Sequence, residues 1–211
     1  VTTEHLAAIN DRRRLALDRY RGAFLGLALA DGAAARDVLG RLEELLSSED
    51  ANLLDVRWPD GVVLGALAAL WFGGDFHAAD SALATMGNTA SARRVAAVTT
   101  LILAETPHAA LSAADPPLDD VVGAVVGAPS FEEGARQLAG PQRAIYGLLA
   151  GASLGESGLP AAGVAALPQR AVARAVAGAI FEQAWTPAPP GAPDIVCEHC
   201  RSLLEKGIAT P

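Results

Sequence analysis

Asp60 closes the tetrad Trp58-Pro59-Asp60-Gly61, which heads the apolar run VVLGALAALW. A carboxylate there can accept hydrogen bonds from the free N–H groups of a helix start, ligate a hard cation, or take a proton in catalysis. Trp58 offers a flat face for a planar ligand, or bulk to fill a core. Asp31 is the sole acid in the apolar run 22–35, so it serves either to end that helix or to face a pocket. Asn88, in Met86-Gly87-Asn88-Thr89, can cap a loop or hydrogen-bond a ligand. Arg143 and Tyr146 supply the ionisable groups of GPQRAIYGLLAG, residues 140–151. Near the end of the chain Cys197 and Cys200 frame CEHC. A Cys-x-x-Cys at a helix start suits a reversible disulfide, because the helix terminus lowers thiol pKa, or half of a tetrahedral zinc site. The chain has no second Cys-x-x-Cys, and His5, His77 and His108 are scattered. A plain terminal helix accounts for the segment as well, and the three readings stay open. There is no P-loop and no G-x-G-x-x-G before a helix, which leaves nucleoside-triphosphate chemistry without support.

The elements that must position these groups are helices. Apolar residues recur with helical period from near Thr3 through LALDRYRGAFLGLALAD. Further segments are expected over 36–47, 60–72, 77–86, 91–105, 118–127, 130–138, 142–155 and 168–185. Gly73 and Gly74 should stop the third, and ETPH, ADPP, GAPS, AGPQ and SGLP punctuate the rest. No stretch alternates convincingly enough for a strand. Gly22 with Gly26, and Gly147 with Gly151 and Gly155, have the spacing that lets two helix backbones approach closely. TPAPPGAP, residues 186–193, reads as an extended linker, followed over 194–211 by a short helix carrying CEHC. The expected organisation is a helical domain over 1–185, the linker, and that terminal helix.

The 211-residue chain is 51% hydrophobic and 19% charged, with only 5% aromatics and alanine prominent. Alanine favours helix and close packing, so the composition predicts a compact all-α protein. A net charge of −8 argues against nucleic acid or an acidic membrane surface as partner. The basic run Arg12-Arg13-Arg14 sits beside Asp11 and Asp18 and reads as a solvated helix face. The opening VTTEHLAAINDRRR lacks the apolar centre of a secretory signal, and runs such as VAAVTTLILA are too short to span a bilayer. A cytoplasmic protein is expected.

Several landmarks, in order, resemble the ADP-ribosylglycohydrolase family. RYRGAFLGLALADGAA, 19–34, is similar to its opening helix, R-x-x-G-x-L-x-G-x-A-x-G-D-A, with Asp31 at the G-D position. WPDGVVLGALAAL, 58–70, falls where the family carries T-D-D-T before an apolar helix. MGNTASARRVAAV, 86–98, resembles G-N-G-x-x-x-R-x-x-P, with Asn88 at its polar position. GPQRAIYGLLAGASLG, 140–155, takes the place of G-D-x-D-T and its alanine-glycine helix, and SGLPAAGVAAL is similar to the closing IP-x-x-W segment. The matches cover most of residues 15–168, in a chain shorter than typical members. The resemblance implies a compact orthogonal multi-helix bundle. In the family it implies hydrolysis of the glycosidic bond of ADP-ribose by two magnesium ions held on the two aspartate segments.

The departures imply that this chemistry is lost. Only Asp60 survives of the first segment, and 137–144 contains no aspartate. A magnesium ion needs several hard oxygen ligands, and a guanidinium such as Arg143 would repel it. Arg143 could instead pair with Asp60, with Trp58 and Pro59 filling the vacated space. The expectation is a protein that binds a small molecule or a protein partner through Trp58, Asp60, Asn88 and Arg143, with no metal and no cofactor. A homo-oligomer is compatible with the sequence. A repurposed metal-independent enzyme using Asp60, Asp31, Arg143 or Tyr146 is the alternative, beside residual hydrolase activity or a scaffold whose cleft is filled. A cleft of about 300 Å³ or more lined by Trp58, Asp60 and Arg143 would favour ligand binding.

Overall fold

A computed structural model describes residues 3–48, 52–53, 56, 58, 61–86, 90–104 and 118–185. Among these residues there are ten α-helices and no strand. They are α1 (Thr3–Ala30), α2 (Gly32–Leu46), α3 (Gly61–Trp71), α4 (Phe76–Thr85), α5 (Ala90–Leu103), α6 (Leu118–Gly127), α7 (Phe131–Gln137), α8 (Pro141–Gly158), α9 (Ala161–Ala166) and α10 (Arg170–Ala184). The expectation of an all-α chain is met. The linker over 186–193 and the CEHC helix with Cys197 and Cys200 lie outside the described residues.

The helix ends follow local chemistry. Asp31 separates α1 from α2 with extended backbone, and its Oδ1 accepts from the N–H groups of Ala33 and Ala34 at 3.1 and 3.0 Å. That cap starts α2 at Gly32, ahead of the expected position 36. Gly73 and Gly74 take φ of 66° and 79° and close α3, and Asp75 then caps α4 through Ala78 N. Ser130 caps α7, and Pro141 opens α8, where its missing N–H costs nothing. The short α9 was not expected from the periodicity, since six residues behind Pro160 hold too little pattern to read.

Two helix pairs organise the molecule. Helices α1 and α8 run antiparallel in close contact: Gly22 faces Gly151 and Gly155, while Gly26 faces Gly147. A Cβ on Gly147 would lie 2.6 Å from the Gly26 carbonyl oxygen and 2.8 Å from the Leu27 Cα. Such separations leave no room for a side chain on either helix. The second pair is α3 and α5, where Gly65 faces the Ala92 carbonyl. Helix α3 is buried all round from Val63 to Leu70, as its unbroken apolar sequence requires.

Adjacent side chains on α1 join the pairs. Arg19 Nη1 donates to the Leu103 carbonyl at 2.8 Å, and Tyr20 Oη donates to the Leu70 carbonyl at 2.8 Å. Each satisfies a carbonyl at the C-terminal end of a helix, α5 and α3 respectively. Burial pushes the Tyr20 phenol pKa far above its ordinary value, so it remains a donor. One continuous apolar core runs from α1 through α10. No helix among the described residues is long and apolar enough to cross a membrane.

Candidate functional site

Of the residues singled out by sequence, Asp31, Trp58, Arg143 and Tyr146 are described, whereas Asp60 and Asn88 lie outside the described residues. The expected ion pair between Asp60 and Arg143 therefore has one member outside the description.

Each described candidate has a definite structural task. The Asp31 carboxylate is the N-cap of α2. Trp58 is half-buried against the core, and its Nε1 donates to the Leu53 carbonyl at 3.1 Å. Arg143 belongs to the first turn of α8. Its Nε donates to the carbonyls of Ala135 and Leu138 at 3.2 and 3.1 Å, and its Nη2 reaches Leu138 at 2.9 Å. It thus satisfies the carbonyls left open at the end of α7. Tyr146, one turn further along α8, is buried, and its hydroxyl donates to the Phe131 carbonyl at 3.0 Å. Its ring stands 5.4 Å from that of Phe131. Desolvation, helped by the nearby Glu132 carboxylate, pushes the Tyr146 pKa up to about 12. Gly134 makes this possible, because any Cβ there would collide with the Tyr146 phenol.

Above this layer lies a cavity of about 330 Å³. Leu29 and Ala30 of α1 form one wall, Phe131, Glu132 and Arg136 of α7 another, and Arg143 and Gly163 complete it. The lining includes Arg143 but not Trp58, so those two expected pocket residues do not meet at this cavity. Asp31 immediately follows Ala30 in the chain, but its carboxylate is turned to the α2 amides. The cavity is mostly apolar with a few charged groups, the usual make-up of a small-molecule site, and its volume is at the lower end of the usual range. The sequence does not point to Glu132, Arg136 or Gly163, because nothing in a short amphipathic helix and a small-residue turn shows that both fold against the end of α1.

At the start of α8, Gly140, Pro141, Gln142 and Arg143 offer no carboxylate, and the guanidinium donates through Nε and Nη2 to carbonyl oxygens. Among the described residues no group of three His, Cys, Asp or Glu side chains is arranged to hold a metal ion. No family model, curated protein or solved structure matches the chain.

Proposed function

We propose that this chain is an ADP-ribosylglycohydrolase-like helical protein that has lost its dinuclear magnesium site. In this reading it binds a small molecule or a protein partner and does not hydrolyse ADP-ribose. The observation that carries it is the fate of the described acid–base candidates: Asp31, Arg143 and Tyr146 each hydrogen-bond backbone groups at helix ends. A general base must reach the proton it removes, and a phenol whose pKa is pushed up to about 12 is a poor base near neutrality. The cavity beside Arg143 supports binding, since it keeps an open volume next to a cationic wall.

The test is release of free ADP-ribose from ADP-ribosyl-arginine and ADP-ribosyl-serine proteins, with and without Mg²⁺. The expected rate equals the uncatalysed background in both. A metal pair that activates water and steadies developing charge is worth several kcal/mol, and each 1.36 kcal/mol is about a factor of ten. Retained chemistry would therefore stand far above background. Magnesium-dependent turnover that disappears in Asp60→Asn would replace this reading with an active hydrolase.

A further inference from the structure

The cavity at the end of α1 has a chemistry of its own. Its body is apolar, formed by Leu29, Ala30 and Phe131. Its charged groups are Glu132, Arg136 and Arg143. Arg136 is an exposed side chain bridged to Glu133 at 3.1 Å, so a carboxylate already answers its charge. Arg143 differs. Its hydrogen bonds run to the neutral carbonyl oxygens of Ala135 and Leu138, and no carboxylate pairs with it among the described residues. Its Nη1 makes no hydrogen bond among them either. The carbonyls hold the guanidinium in place by Nε and one side of Nη2. A guanidinium fixed in this way and half-buried in a chain of net charge −8 is pre-organised for an anion.

Resting on the proposed binding role, we infer that the cavity binds a small monocarboxylate with a compact apolar body, its carboxylate on Arg143 and its body between Leu29 and Phe131. The volume of about 330 Å³ suits such a molecule. A diphosphate ligand fits less well, because it brings more negative charge than the single unanswered cation can meet. An amine fits less well still: it would be drawn to Glu132, but that carboxylate is exposed, whereas the half-buried Arg143 guanidinium is held in place at the wall.

Gly163 supplies the means to test this. A Cβ there would stand 3.0 Å from Leu29 Cδ2 and 3.8 Å from Pro160 Cβ, so it points among the residues of the cavity wall. Leu29 Cδ2 is the free end of a flexible side chain, so a larger residue at 163 can be accommodated while it fills the cavity. The experiment is calorimetric titration of the full chain with phenylacetate and octanoate, their primary amides, and phenethylamine. The aromatic and straight-chain acids separate the two kinds of apolar body. At least one carboxylate is expected to bind about tenfold or more tightly than its amide, the discrimination expected of a charge-assisted hydrogen bond. Gly163→Leu should abolish that binding while the circular dichroism spectrum and melting temperature hold. Arg143→Gln should remove the preference for acid over amide, and Arg136→Gln should leave it. The inference is overturned if neither acid binds the wild type, if acid and amide bind alike, or if a folded Gly163→Leu protein binds as the wild type does. Its failure leaves the hydrolysis assay untouched, and hydrolysis of ADP-ribose would overturn the broader reading whatever the carboxylates do.

Discussion

Tyr146 illustrates how a residue type that could do chemistry is assigned by its surroundings. By sequence it is an ionisable group on an alanine-glycine helix beside Arg143. In the fold its hydroxyl is the donor that satisfies the Phe131 carbonyl. Tyr146→Phe should destabilise the protein by about 1 kcal/mol, the net value of such a bond, with carboxylate binding unchanged. Urea denaturation checks the first and titration the second. The phenol also predicts a pH effect. Its folded pKa lies above the ordinary value of 10.0, so the unfolded state releases the proton first. The stability it contributes is whole below pH 10 and is lost as pH rises toward about 12. Across that window Tyr146→Phe should lose less stability than the wild type, with the Tyr20 contribution remaining in both. Equal losses would show that Tyr146 ionises as freely in the fold as in the unfolded chain. Asp31 was legible from sequence as a helix-terminating acid, because its position between apolar helical runs allows few other tasks. Arg143 was not legible as a cap of α7, because the carbonyls it meets are brought to it by the turn between α7 and α8.

At the scale of elements, the glycines of α1 and α8 set the closest helix contact. Their four-residue spacing is visible in the sequence, but the partner of each is a tertiary fact. Gly22 and Gly151 face each other backbone to backbone, so a methyl group on either has no flexible neighbour to displace. Gly22→Ala and Gly151→Ala should each cost about 3 kcal/mol or more, at or beyond the upper end of ordinary overpacking. Gly123 and Gly178 lie in α6 and α10 with open space around the missing Cβ. Alanine at those positions should stabilise by up to about 1 kcal/mol through helix propensity alone. Chemical denaturation of the four variants separates the classes, and equal effects in all four would refute the close contact. Gly155 is a third case. Its φ of 69° and ψ of 171° interrupt α8, and the Asp18 carboxylate enters the break to accept from Ser157 N at 3.2 Å and Ser157 Oγ at 2.9 Å. Asp18→Ala removes this remote cap and should cost about 1 kcal/mol in a thermal melt.

For the whole molecule, stability rests on the apolar core more than on surface charge. The ion pairs Arg13–Glu182, Arg93–Asp80 and Arg174–Glu156 tie α1 to α10, α4 to α5 and α8 to α10. The first two are exposed and worth at most about 1 kcal/mol each, weakened further by salt, while Arg174–Glu156 is part-buried. The core already runs continuously through α1 to α10, and Trp185 packs its ring 5.3 Å from that of Phe181 at the end of α10. A chain ending after Trp185 should therefore keep its fold, with a melting temperature within about 4 °C of the full chain, the shift expected from about 1 kcal/mol at this size. A larger fall, read by differential scanning calorimetry, would place residues 186–211 in the core or in an oligomer contact.

The sequence by itself determined the all-α class, the helix stops at Gly73-Gly74, the capping role open to Asp31 and the glycines that need a close partner. All of these depend on local periodicity, backbone freedom or composition. Only the tertiary structure decided that α1 and α8 are the helices in close contact, that Arg19 and Tyr20 cap α5 and α3, and that Tyr146 serves Phe131. It also decided that Arg143 meets a cavity formed with Leu29, Phe131 and Gly163 and without Trp58. These arrangements join residues distant in the chain, and their free energy comes from burial and from satisfying carbonyls at helix ends. Burial leaves a periodic trace along each segment, but neither it nor the carbonyls at a helix end show which segments will meet.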